Sequence, residues 1–135
     1  MKLAYCGDVC NLCPRYIATL SGKEEELNKV AILLKKVGWR DEIKPPEEMI
    51  CHGCQDIEVC EYDVKDCCIE KKIENCGKCP KYPCPEIKRA FEITETNTKK
   101  FRKILSKEEY ETFYNAYFLK KEHLDREQEK KINIY

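Results

Sequence analysis

Cysteine is the residue type with the most chemistry to offer in this sequence, and it recurs in a fixed frame. The stretches CNLCPRY at 10–16 and CGKCPKY at 76–82 share Cys-x-x-Cys-Pro-(Arg/Lys)-Tyr, position for position. A third Cys-x-x-Cys pair is Cys51/Cys54, and Cys6, Cys60, Cys67 and Cys84 flank the pairs. A Cys-x-x-Cys turn aims two sulfurs at one point. Two such turns supply the four thiolates of a structural zinc, at about 2.3 Å Zn–S in a tetrahedron.

Eleven cysteines in 135 residues imply either a disulfide framework or metal ligation. The odd count, the spacings and the lack of a secretion signal favour metal. The expected ligands are therefore Cys6, Cys10, Cys13, Cys51, Cys54, Cys60, Cys67, Cys76, Cys79 and Cys84, holding about two Zn2+ per chain. Three partitions stay open. Cys10/Cys13 and Cys76/Cys79 converge on one metal, with Cys51, Cys54, Cys60 and Cys67 on a second. Alternatively, each repeat anchors its own site with its flanking Cys6 or Cys84. Or a six-thiolate dizinc cluster stands beside one mononuclear site. Two mononuclear zincs are the expectation.

The residues around the repeat suit such a centre. Asn11 and Gly77 let backbone N–H groups face sulfur, and Pro14 and Pro80 stiffen the exits. Arg15 and Lys81 offset the negative charge of the thiolates, and Tyr16 and Tyr82 shield them. Cys68 directly follows Cys67, and neighbouring side chains on a helix diverge, so Cys68 reads as a buried thiol outside the site. His52 reads as exposed or outside the ligand set, and His123 is given no role.

Other thiol chemistries are weighed by the same residues. Cys6-x-x-x-Cys10-x-x-Cys13 is a three-cysteine spacing used to hold a [4Fe–4S] cluster, so an iron–sulfur redox or accessory protein is the alternative. The barrel of a radical enzyme needs a much longer chain. A thioredoxin-like redox motif needs a β-α-β frame, which is missing from the pattern. Hydrolytic zinc wants an open coordination position with His or carboxylate ligands, whereas thiolates dominate here. A third reading is a thiol-based metal or redox sensor. No catalytic constellation is visible, so a non-enzymatic protein is expected.

Helices must position these cysteines. Pro14 suits a first helical turn and Gly22 a stop, giving a helix over PRYIATLSG. Ser21 and Glu24 form a capping-box signature for a second helix. Its apolar face is Leu27, Val30, Ala31, Leu34 and Val37, and Gly38 ends it. The paired prolines of KPPEE at 44–48 predict an extended connection. The 51–84 segment is too poor in large apolar residues to make a core alone and needs staples. One helix is expected in DCCIEKKIEN, capped by Asp66. In the tail, Pro85 opens a helix, a second piece covers about 96–105, and Ser106/Glu109 cap a long helix. That helix carries Tyr110, Phe113, Tyr114, Tyr117, Phe118 and Leu124 on one face, which is read as core packing on the 27–37 face. DREQEKKINIY reads as solvated.

Composition removes several function classes. The chain carries 25 basic and 25 acidic residues, with a pI of about 6.7. Strong attraction to nucleic acid is therefore not expected. No apolar run approaches the roughly 18–20 residues of a membrane span, and Asp8 interrupts any signal-peptide core. A cytoplasmic protein is expected.

At YCGDVCNLCPRYIAT, CHGC (51–54) and CCIEKKIENCGKCPKYPC (67–84), the sequence resembles the cysteine-rich prokaryotic family catalogued as domain of unknown function 3795. The helical tail is similar too. The resemblance implies zinc binding and adds no reaction. The expectation is a mostly α, single metal-stapled domain over 1–135, with Cys knuckles and irregular loops. It comprises a Cys arm (1–13), a helical insert (14–50), a Cys-rich metal segment (51–84) and a helical tail (85–135) ending in a long helix. Its expected function is a structural-zinc, protein-interaction module whose partner the sequence does not name.

Overall fold

The computed structural model describes residues 2–53 and 62–133. Cys54 and Cys60 lie outside them. Seven α-helices are described: α1 (Pro14–Ser21), α2 (Glu24–Lys36), α3 (Pro46–Met49), α4 (Lys65–Lys71), α5 (Pro85–Ile104), α6 (Lys107–Tyr117) and α7 (Lys120–Asn133). Two short 3-10 turns, Cys10–Leu12 and Cys76–Lys78, are the two copies of the repeat. An antiparallel bridge, Leu3 to Val9, closes the N-terminal arm on itself. The chain is thus mostly helical, and no helix among the described residues is long and apolar enough to cross a membrane.

Local chemistry explains most boundaries. Pro14 and Pro85 occupy the first turns of α1 and α5, where a missing N–H is harmless. Gly22 ends α1 in the left-handed region at φ 69°. Ser106 and Glu109 form the reciprocal capping box at the start of α6. Other expectations are corrected. Ser21 is the last residue of α1 and donates to Ala18 O at 2.6 Å, so α2 starts at Glu24 without a side-chain cap. Pro45 is extended, but Pro46 takes the tolerated first helical position, so KPPEE contains the start of α3. Val64, not Asp66, is the N-cap of α4. The two pieces expected between 85 and 105 are one 20-residue helix. The tail ends in a long helix, α7, but Phe118 and Leu119 separate it from α6 by a turn.

That turn divides the tail between two cores. In the first, the expected α2 face is buried in full and meets Phe101, Phe113 and Phe118. Trp39 wedges between them, edge-on to Phe101 at 5.2 Å and stacked on Phe113 at 5.4 Å. Such aromatic pairs add about 0.5–1.5 kcal/mol beyond burial. The second core gathers Cys6, Cys10, Cys68 and Cys76 with Ile87 and Leu124. Leu124, expected on the aromatic face, therefore serves the cysteines instead.

The N-terminal arm is stitched between these cores. Val9 N donates to Ala116 O at 2.9 Å, and Cys76 N donates to Tyr5 O at 2.9 Å. Gly7 sits at φ +95°, and a Cβ there would fall 2.8 Å from Lys120 O. Only glycine satisfies both the backbone and the close approach to α7.

Candidate metal centre

The two repeats fold alike. Each begins in a 3-10 turn, and the second cysteine returns its N–H to the carbonyl of the first: Cys13 to Cys10, and Cys79 to Cys76, both at 3.1 Å. Cys13 leaves with φ −66°, ψ 128° and Cys79 with φ −73°, ψ 134°. Identical sequence frames thus give one knuckle built twice. All the described cysteines are thiols rather than disulfides.

Around the first knuckle, the Tyr117 hydroxyl lies 2.9 Å from Cys13 Sγ, and the backbone N–H groups of Arg15 and Tyr16 also face that sulfur. Burial pushes the Cys13 thiol up, these donors pull it partly back, and the nearby Cys51 thiol adds to the rise. Cys51 is brought in by α1: its N–H donates to Thr19 Oγ1 at 2.9 Å. Arg15 spends its guanidinium on carbonyls rather than on sulfur. Its Nε donates to Met49 O at 3.1 Å and its terminal nitrogen to Ile50 O at 3.3 Å. Arg15 and Thr19 together fix the strand of chain that delivers Cys51.

Deeper in the arm, Cys6 donates to Asp8, whose Oδ1 lies 2.6 Å from Lys120 Nζ. Burial pushes the Asp8 carboxyl up and the Lys120 ammonium opposes it. Burial also disfavours the charge on Lys120, but Asp8 and Cys6 outweigh it and hold the ammonium protonated. Lys120 is 2% exposed, lies 5.2 Å from the centroid of Tyr62 and donates to Tyr117 O at 2.6 Å.

At the second knuckle, Cys68 Sγ stands 3.7 Å from Cys76 Sγ. The Cys76–Cys68 hydrogen bond pushes the Cys76 thiol well up and the Cys68 thiol down. Cys84 and Cys6 lie near enough to raise Cys76 further. Cys79 Sγ accepts from Lys71 Nζ at 3.2 Å and from Lys81 N at 3.4 Å. Lys81 therefore acts on sulfur through its backbone, and Lys71 of α4 supplies the cation. Helix α7 backs this knuckle: Tyr82 donates to Asp125 at 2.6 Å and Asn75 to Glu127 at 3.0 Å. A Cβ on Gly77 would fall 2.5 Å from Leu124 O. The start of DREQEKKINIY is thus docked rather than solvated.

The sequence-predicted ligands divide accordingly. Cys10, Cys13 and Cys51 lie on the first-knuckle side, and Cys76, Cys79 and Cys84 on the second. Cys6 stands between them, and Cys67 is exposed on α4. Among the described residues no three Cys, His, Asp or Glu side chains already converge on one ion-sized point. Cys68 is the buried thiol the sequence predicts: α4 turns it inward to 1% exposure while Cys67 faces out. The signal was present: Val64, four residues earlier, shares that buried face. His52 is exposed, with its carbonyl accepting from Lys2. His123 is buried at 8% exposure, and neither ring nitrogen is hydrogen-bonded among the described residues.

The model of the family described as "Protein of unknown function (DUF3795)" matches residues 2–89. The chain belongs to the DUF3795 family. No curated protein and no solved structure matches it. The DUF3795 match takes in both knuckles and every cysteine, and ends within α5. The groups that α6 and α7 bring to the N-terminal arm and the second knuckle of this DUF3795 protein lie beyond the matched span: Tyr117 on Cys13, Lys120 on Asp8, and Asp125 on Tyr82.

Proposed function

We propose that this protein is a non-enzymatic, metal-stapled module whose second knuckle holds a structural zinc through Cys68, Cys76, Cys79 and Cys84. The observation that carries the reading is the Cys68–Cys76 sulfur separation of 3.7 Å. The edge of a tetrahedron with Zn–S of about 2.3 Å is about 3.8 Å. The charges around these thiols also suit a zinc. A four-thiolate zinc carries two negative charges, and the Lys71 ammonium and Lys81 N–H already point at Cys79. Bound zinc would take the place of the proton shared by Cys68 and Cys76, since ligand sulfurs are thiolates.

An all-thiolate set leaves no open position for a substrate, so the metal's work is to hold structure. It ties α4, the knuckle and the start of α5 into one unit beneath α7. A protein partner is the reading favoured for the surface, supported by Ile17 and Leu20, exposed on α1 at 49% and 69%. Elemental analysis and X-ray absorption at the zinc edge test the metal. Zinc with a pure sulfur shell, lost in Cys68→Ser and Cys76→Ser, is the expected result. Zinc with nitrogen or oxygen ligands, or zinc unaffected by both substitutions, refutes it.

A further inference from the structure

Beside the first knuckle lies a cavity of about 200 Å³. Four of the described cysteines line it: Cys6, Cys10, Cys13 and Cys51. A single water needs only about 10–15 Å³ of such space, so the volume far exceeds a lone ion. A mononuclear zinc would draw its sulfurs to edges of about 3.8 Å and leave no such space. We propose that this cavity takes a cubane [4Fe–4S] cluster bound by Cys6, Cys10, Cys13 and Cys51, distinct from the zinc of the second knuckle.

The chain order agrees with that geometry. Three ligands come from one short loop, Cys6-x-x-x-Cys10-x-x-Cys13, and the fourth from a remote segment. Three local thiolates plus one distant thiolate is a recurring way to hold iron–sulfur centres. The remote ligand is not left to chance, because Arg15 and Thr19 of α1 clamp the segment that carries Cys51. Charge agrees too. Among the described residues, Arg15, Arg40, Lys65 and Lys120 line the cavity together with the carboxylate of Asp8. A tetrathiolate cubane in its common oxidised state carries two negative charges, which such walls offset. Trp39, Leu34 and Tyr16 add apolar and aromatic surface to the wall. Three donors on Cys13 sulfur, from Tyr117, Arg15 and Tyr16, are the kind of hydrogen bonds that set a cluster's potential.

Loading by ligand exchange needs no electron. Four cysteine thiols each give a proton to an exogenous thiolate on a preformed cluster, four Fe–S(Cys) bonds form, and four free thiols leave. Cys6 then surrenders its hydrogen bond to Asp8, which keeps Lys120.

The test uses the whole chain, zinc-loaded and anaerobic, with the synthetic [4Fe–4S] cluster carrying four 2-mercaptoethanol ligands as probe. The expected product keeps its zinc and retains about four irons and four sulfides through gel filtration, with a broad band near ~400 nm. Cys13→Ser and Cys51→Ala should each lower retained iron at least tenfold and leave zinc unchanged. Cys76→Ser should keep iron and lose zinc, and failure of that arm alone would count against the zinc reading and not the cluster. Tyr117→Phe, whose fold does not depend on a ligand sulfur, should keep the iron and shift the cluster's reduction potential downward. Wild-type protein that retains no iron or sulfide, or takes a second zinc in the same cavity, overturns the proposal. So does iron retention that survives both Cys13→Ser and Cys51→Ala.

Discussion

The two knuckles share a backbone but not a setting. The first stands at the edge of a cavity, its Asn11 exposed and its second sulfur facing the hydroxyl of a half-buried tyrosine. The second is pressed onto α7, its Gly77 touching backbone and its second sulfur facing a lysine ammonium. A repeated motif therefore fixes a local turn that presents two sulfurs. What surrounds the turn differs: one pair of sulfurs borders a cavity and the other lies against a helix. The same division runs through the rest of the chain, since the turn at Phe118–Leu119 sends aromatic residues to one core and Leu124 to the other.

Metal removal should break the comparison most severely. Structural zinc contributes on the order of 10–16 kcal/mol in small zinc domains, against a net stability of about 5–15 kcal/mol for a whole domain. Complete chelation should release α4 and the second knuckle to proteolysis and lower the helical circular dichroism. The first core, built from α2, α5 and α6, should outlast them. Unchanged protease resistance throughout would contradict the stapling role.

Gly77→Ala should come next, at about 3 kcal/mol, because the added methyl meets the α7 backbone rather than a flexible side chain. The matching change in the first knuckle, Asn11→Ala, loses one exposed hydrogen bond from Lys2 N and should cost less than about 1 kcal/mol. Equal losses in urea melts would show that the knuckles are not differently packed.

Tyr117→Phe sharpens the contrast from the other side. It removes the hydroxyl from Cys13 and should cost about 1–1.5 kcal/mol while leaving zinc content at the second knuckle untouched. A loss of zinc in this variant would tie the two knuckles into one site.

Ser106→Ala serves as a reference far from both knuckles and should cost about 1 kcal/mol through the lost cap. The Ser106 N–H and the Lys36 ammonium hold the Glu109 carboxyl below its ordinary 4.5. Its folded-state pKa being depressed, Glu109 contributes stability that is present above 4.5 and is lost as pH falls through the lower folded value. Acid titration of Glu109→Gln should show a smaller loss than wild type in that window.

Much of the fold is legible locally. Pro14, Gly22, Pro85 and the Ser106/Glu109 box act within a few residues, and the α2 stripe is a plain periodicity. Ser21 misled because it had two local options and the α1 carbonyl of Ala18 won. The turn between α6 and α7 carries no glycine or proline. It is set by the competing demands of two cores, which no local rule expresses. The knuckles were legible as one turn built twice, but where the cysteines stand depends on long-range delivery. Cys51 arrives through Arg15 and Thr19, and Cys68 through the inward face of α4.

The central claim is that each knuckle anchors its own centre. The most direct measurement is the metal inventory of Cys13→Ser and Cys76→Ser beside wild type, purified anaerobically under identical conditions. Each variant should lose one centre and keep the other in full. A single substitution that empties both, or two substitutions that remove the same metal, would contradict it.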